Sequence, residues 1–170
     1  MRLRLIAVGR LKAGPERDLV ARYQARAEAL GRALGLSAVE CVEVAESRAR
    51  READRRAEEA GTILDKVGAS ALVSFDERGR SLTSERFADQ VAEWRGTARP
   101  AVSFVIGGPD GLDEQVRRRS ELVVAFGALT IPHQLVRVLV MEQVYRAFTI
   151  LAGHPYHRAG GQNPDPSLDP

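Results

Sequence analysis

Val102-Ser103-Phe104-Val105-Ile106-Gly107-Gly108-Pro109-Asp110-Gly111 runs from a short apolar segment straight into a glycine-rich turn. A strand that is apolar without alternation reads as one covered on both faces, the usual condition of a central strand in a parallel sheet. Outward from it, the apolar period switches repeatedly between two and about 3.6. Toward the amino terminus this gives a strand over Arg2 to Val8, a helix from Pro15 to Ala33, and a strand over Val39 to Val44. A charged helix with a thin alanine stripe follows over 46–67, read as a solvated face in preference to an RNA-binding arm because its opposite charges nearly cancel. Next come a strand from Ala71 to Phe75, closed by the polar turn Asp76 to Arg80, and a helix capped by Thr83 or Ser84 that stops at Gly96. Toward the carboxyl terminus the pattern predicts a short helix around Asp113 to Arg119, a strand over Leu122 to Phe126, and a last helix from His133 to about Leu151. The fold class is α/β, a mostly parallel sheet flanked by helices.

Composition narrows the function classes. The chain has 170 residues, 44% hydrophobic and 28% charged, which is ordinary globular composition. No apolar run approaches the roughly 20 residues of a membrane span, and the opening segment reads as a first strand rather than a signal peptide. Cys41 is the single cysteine, so the expectation is a reducing compartment, the cytoplasm. A net charge of +2, carried mostly by arginine, permits an anionic partner without demanding one. Three histidines and one cysteine without ligand spacing make no convincing metal site. Residues 159–170 are rich in Gly, Pro and Asp and are expected to be a disordered tail.

The last helix is unusual. Leu135, Val136, Val138, Leu139, Val140, Met141, Val144, Tyr145, Phe148 and Ile150 spread around most of its circumference. Such a helix must be covered on more than one side, by a second subunit or by its own chain; a homodimer is the expectation, with a central helix as the alternative.

Three segments carry candidate chemistry. The glycine turn after Ile106 sits at the carboxyl end of a buried strand, where open α/β sheets bind ligands. It has neither dinucleotide spacing nor the lysine of a phosphate loop, which disfavours a nucleotide hydrolase, and a plain tight turn explains it about as well. Gly127-Ala128-Leu129-Thr130-Ile131-Pro132-His133 is an apolar loop suited to an adenine ring or to a buried connection. His154-Pro155-Tyr156-His157-Arg158 gathers two imidazoles, a phenol and a guanidinium, suited to acid–base work or phosphate contact; an inert surface cluster is the plain alternative.

Taken in order, Ile106 to Leu112, Ala128 to His133, Val136-Arg137-Val138, Glu142 to Ala147 and His154 to Arg158 closely resemble the ribosomal RNA large subunit methyltransferase H family of the SPOUT superfamily. Leu3 to Gly9 and Phe75 to Gly79 also fit, and the resemblance spans a single domain over residues 1–158. It implies an α/β knot with a carboxyl-terminal trefoil, a homodimer, and methylation of N3 of a pseudouridine in 23S rRNA on assembled ribosomes. It implies S-adenosylmethionine held by Phe75, Gly108, Gly127, Ala128, Leu129, Thr130, Ile131 and Pro132, where a valine at 108 would crowd the cofactor. The expected catalytic group is His157, or else His154, as proton acceptor, with Tyr156 positioning the base and Arg158 stabilising charge. A cysteine nucleophile is unnecessary for nitrogen methylation, in keeping with Cys41 lying outside every motif. The competing class is a non-catalytic RNA-binding ribosome assembly factor.

Overall fold

The computed structural model describes residues 1–97 and 99–157. Arg158 and the expected tail over 159–170 lie outside the described residues. The elements follow the order β1 (Arg2–Val8), α1 (Pro15–Ala33), β2 (Ala38–Val44), α2 (Glu52–Val67) and β3 (Ala71–Arg80), then α3 (Ser84–Gly96), β4 (Ala101–Ile106), α4 (Glu114–Arg119), β5 (Leu122–Val124) and α5 (His133–Leu151). The five strands form one sheet in the order β2-β1-β4-β3-β5, and every neighbouring pair is parallel.

Alternation along each strand sorts side chains between two cores. Leu3, Leu5 and Ala7 of β1 join Val102, Phe104 and Ile106 of β4 on the face covered by α1, α3 and α5. Ile6, Val8 and Val105 meet Ala60, Ile63 and Val67 of α2 and Val116 of α4 on the other. All six residues of β4 are buried, as the unbroken apolar run required. Phe104 touches Phe75, Phe87 and Trp94, with centroid separations of 5.9, 5.7 and 6.2 Å. α5 packs chiefly on α1 and α3, so its own chain covers one flank. Among its apolar residues Leu135 remains 43% exposed, while Val138, Tyr145 and Ile150 are partly covered.

Two expectations are corrected. The segment 46–51 is not helical: α2 starts at Glu52, and the preceding loop is held by side chains of α2 instead of its own ladder. β3 does not end at Phe75. Phe75 and Arg80 both register with Val124, so residues 76–79 bulge out and the strand resumes, with Ala125 N–H donating to the Arg80 carbonyl at 3.0 Å. Gly79 permits this, because a Cβ there would lie 2.6 Å from the backbone of Val124. Smaller differences are β2 starting one residue early and β5 stopping at Val124. Thr83 is the cap of α3, its hydroxyl accepting from Arg86 N–H at 3.2 Å.

One buried cation ties the last helix to the sheet. Arg137 of α5 is 3% exposed. Its Nη2 donates to the carbonyls of Val8 at 2.6 Å and Gly9 at 2.8 Å, at the point where β1 ends. Glu43 lies 3.4 Å from Nη1 and is half-exposed. Arg137→Met keeps most of the stem but strands two buried acceptors, each worth about 1–3 kcal/mol when unsatisfied. The expected loss in urea denaturation is therefore about 2–5 kcal/mol by the same reasoning, whereas Glu43→Gln changes stability by about 1 kcal/mol or less, as for exposed ion pairs.

Candidate functional site

Parallel strands bring all their carboxyl ends to one edge of the sheet, and there the glycine turn and the apolar loop converge. They enclose a cavity of ≈ 490 Å³ whose wall includes Phe75, Gly108, Gly127, Leu129, Thr130, Ile131 and Pro132. Ala128 is the one member of the expected cofactor set that does not line it. Pockets for small ligands commonly measure about 300–1,000 Å³.

The turn is shaped by close approach more than by unusual torsions. A Cβ at Gly107 would lie 2.7 Å from the Gly111 carbonyl carbon, so the two limbs of the turn touch there. Gly111 N–H donates to the Gly108 carbonyl at 3.0 Å, and the two residues form an isolated antiparallel bridge. A Cβ at Gly108 would meet Val8 Cγ1 at 2.9 Å, beneath the turn. A side chain at 108 would therefore press on the core as well as stand at the cavity wall. Gly127 has φ +108°, and Leu129 at the loop tip is 83% exposed. The loop is thus not a buried connection. Among the described residues, the backbone of 127–131 forms no backbone–backbone hydrogen bond, which leaves a run of donors and acceptors on the rim of a cavity with apolar walls at Phe75 and Ile131 and charged ones at Asp76, Arg78 and Arg117.

Charged groups buttress this edge. Arg55 of α2 grips Asp110 through two bonds, Nε to Oδ2 at 2.6 Å and Nη2 to Oδ1 at 2.9 Å, and that bonding holds the Asp110 carboxyl below its usual range. Glu59, 5% exposed beneath Gly108, accepts from Ser47 N–H at 2.9 Å, and burial pushes its carboxyl upward. On the other side, Arg117 Nη1 meets Asp76 Oδ2 at 3.1 Å and fixes the bulge of β3. His133 also lines the cavity; burial, then the nearby Arg137 charge, lower its pKa and favour the neutral imidazole. Sequence patterns gave no sign of Arg55 or Glu59, whose partners lie 55 and 12 positions away.

The carboxyl-terminal cluster is elsewhere. None of His154, Tyr156 and His157 lines the cavity. His157 Nε2 sits 2.9 Å from Glu85 Oε1 at the start of α3, and its buried Nδ1 has no partner among the described residues. Glu85 is held below the usual carboxylate range by its own amide and the Thr83 hydroxyl, then by His157. Tyr156 Oη donates to Glu142 Oε1 at 3.1 Å, beside Arg146, which pairs with the same carboxylate. Burial, with Tyr23 and Glu142 nearby, pushes the phenol up to about 12, so Tyr156 stays protonated and is no base near neutral pH. His154 Nδ1 accepts from Tyr156 N–H at 3.2 Å, a local turn contact. The stacked rings of Phe75 and Phe126, 5.4 Å apart, separate the cavity from a smaller pocket lined by Ser84 and Gln143, next to this cluster. Cys41, exposed on β2, does not line the cavity.

The architecture and its edge cavity define an α/β protein of the kind that binds ligands beyond the carboxyl ends of its strands. A family model described as "Predicted SPOUT methyltransferase" matches residues 1–157, and the chain belongs to that family of methyltransferases. A Methylobacterium nodulans protein named "Ribosomal RNA large subunit methyltransferase H" is 63% identical over 159 residues, covering 93% of this chain and 98% of its own. A Rhodopseudomonas palustris protein of the same name is 54% identical over 160 residues, covering 94% and 100%. The crystal structure of tRNA (m1G37) methyltransferase from Aquifex aeolicus is similar in fold, with a TM-score of 0.54 at 13% identity, covering 96% of this chain and 79% of that one. Among the described residues no helix is long and apolar enough to cross a membrane, and no group of three or more His, Cys, Asp or Glu is placed to hold a metal ion.

Substitutions at glycine report how tightly the turn is built. Gly107→Ala must push its touching backbone limbs apart and is expected to lower stability by about 1–3 kcal/mol, the range for overpacking. Gly61→Ala, on the exposed side of α2 with open space around it, should instead raise it by about 0.5–1 kcal/mol. Paired urea titrations measure both.

Proposed function

We propose that the chain is a single-domain methyltransferase over residues 1–158 that methylates N3 of a pseudouridine in 23S rRNA of the assembled ribosome, using S-adenosylmethionine, as a cytoplasmic homodimer. The observation that carries this reading is one cavity shared by the glycine turn and the proline-ended loop in a chain of the SPOUT methyltransferase family. Large-subunit rRNA follows the names of the relatives, the nucleotide follows the family resemblance of the motifs, and the strand order is consistent with the knot expected from the sequence.

The residues present fit the cofactor. Phe75, Leu129 and Ile131 offer apolar faces to an adenine ring, and the unpaired backbone of 127–131 offers partners for its edge. Gly108, Thr130 and Pro132 bound the remaining wall, and His133, kept neutral, adds no positive charge near a sulfonium. When bound, S-adenosylmethionine supplies an activated methyl group for which no protein nucleophile is needed. The chain's own task is the proton. N3 of pseudouridine is an imide that carries hydrogen at neutral pH, so forming the new N–C bond requires that hydrogen to leave. His157 accepts it, with Glu85 at 2.9 Å orienting the ring. Tyr156 donates a hydrogen bond and positions the base, His154 shapes the segment, and Arg158 balances the developing charge.

This cluster does not reach the cavity of its own chain, and α5 keeps a partly uncovered apolar flank around Leu135 and Val138. Both facts support a homodimer in which the carboxyl-terminal segment of a second copy completes the site. His157→Ala is expected to lower kcat by about 10²–10⁴-fold and to leave cofactor affinity by calorimetry unchanged. Ile131→Trp, filling the cavity, should abolish cofactor binding. Mixing these two inactive variants restores activity if sites are shared between copies; no recovery in verified mixed dimers rejects the shared site. Radiolabelled methyl transfer to ribosomes with and without pseudouridine tests the nucleotide. Label in both equally would overturn the assignment, and RNA binding without any transfer would identify a non-catalytic assembly factor.

A further inference from the structure

We propose that a basic edge formed by residues 10–17 and 48–51 grips the phosphate backbone of the RNA beside the cofactor cavity. The inference rests on the RNA-methyltransferase reading and adds to it the surface that holds the substrate.

The loop between β2 and α2 is built, not slack. Ser47 N–H donates to the buried Glu59 at 2.9 Å, Ser47 Oγ bonds Glu58 Oε2 at 2.5 Å, and Ala49 N–H returns to Ser47 Oγ at 3.1 Å. Arg55 Nη1 caps the carbonyls of Ala49 and Arg50 at 3.2 and 3.1 Å while its other nitrogens hold Asp110. These bonds commit the backbone of the loop to α2 and to the cofactor turn. They leave Arg48, Arg50 and Arg51 exposed, and among the described residues their side chains enter no ion pair. The same holds for Arg10, Lys12 and Arg17 in the loop after β1 and at the start of α1. Val8 pairs with Val44 and Gly9 N–H donates to the Val44 carbonyl at 2.8 Å, so both loops leave the sheet side by side.

The carboxylates nearby are largely committed. Glu43 accepts from Leu11 N–H at 2.7 Å and lies by Arg137; Glu46 packs on Gly9 facing Arg137 and His133; Glu52 pairs with Arg56; Asp110 is held by Arg55. Glu16 and Asp18 occupy the first turn of α1, where the helix dipole favours them, and Asp54 lies likewise in α2. Among the described residues without an ion-pair partner at this edge, six cations stand against five carboxylates, Glu16, Asp18, Glu46, Asp54 and Glu58, and of these Glu46 faces inward while Glu58 bonds Ser47. Arginine forks suit phosphate oxygens, and a base delivered to the cavity brings its flanking phosphates along this same edge.

The test uses full-length protein and intact ribosomes. Two triple variants, Arg48→Ala/Arg50→Ala/Arg51→Ala and Arg10→Ala/Lys12→Ala/Arg17→Ala, are compared with wild type for KM, kcat, cofactor affinity and the salt dependence of ribosome binding. Each lost phosphate contact flattens the slope of log K against log salt by about 0.7–0.9. KM is expected to rise at least roughly tenfold per triple, which is the scale of losing a few phosphate contacts, with kcat at saturation and cofactor affinity unchanged. The conservative variants Arg48→Lys/Arg50→Lys/Arg51→Lys and Arg10→Lys/Arg17→Lys should recover the slope. Wild-type KM and slope in the triples, reduced cofactor affinity instead of reduced ribosome affinity, or crosslinks from position 50 to ribosomal protein rather than RNA would each overturn the proposal. If one triple fails to fold, the other decides. Failure of wild type to methylate any RNA would overturn the underlying function, a result separate from an unaltered triple variant.

Discussion

The contact between Arg137 and the two carbonyls at the end of β1 sets the geometry of everything at the carboxyl edge. At the end of β1 the carbonyls of Val8 and Gly9 both accept from the single Nη2 of Arg137, so one buried guanidinium satisfies the two together. Because that guanidinium belongs to the first turns of α5, the helix start is fixed against the centre of the sheet. Pro132 and the loop before it are then held opposite the glycine turn of β4. A helix docked only by apolar packing would be free to slide by a residue or a turn; a buried, doubly bonded cation removes that freedom.

The two halves of the edge are reinforced differently. On the side of β4, the turn is compact because glycine at 107 lets its limbs touch, and Arg55 clamps it from outside through Asp110. On the side of β3 and β5, a bulge pushes Asp76 outward to meet Arg117, and Gly79 gives the chain room to return to the sheet. The apolar loop spans the two with little internal bonding, its Leu129 in solvent. A stiff floor and a loosely bonded rim suit a ligand that must enter and leave each catalytic cycle.

Much of the fold was legible in the pattern of apolar residues. β4 has no alternation because both its faces are covered, and α5 has no clean polar face because α1 and α3 flank it. The residues expected at one site do line one cavity, except Ala128. What failed did so for local reasons. Residues 46–51 have good helix formers, but distant side chains at Glu59 and Arg55 satisfy that backbone in another path, a contest that propensity does not see. Asp76 to Arg80 look like a turn because they are polar, yet an edge bulge facing a cavity needs polar residues. Gly108 lines the cavity as expected, and sequence gave no sign of the further contact below it, at Val8.

The strand order has a consequence for synthesis of the molecule. β1, made before the other four strands, has β4 as its inner neighbour, with Arg2 paired to Ala101. That central pairing must therefore wait until Ala101 and the residues after it have left the ribosome, and the closing bond from Arg137 to Val8 spans 129 positions. Long loop closures of this kind slow folding. Until the last helix is translated, β1 and β4 lack their cover, and the nascent chain carries an unfinished apolar surface that favours aggregation over premature assembly.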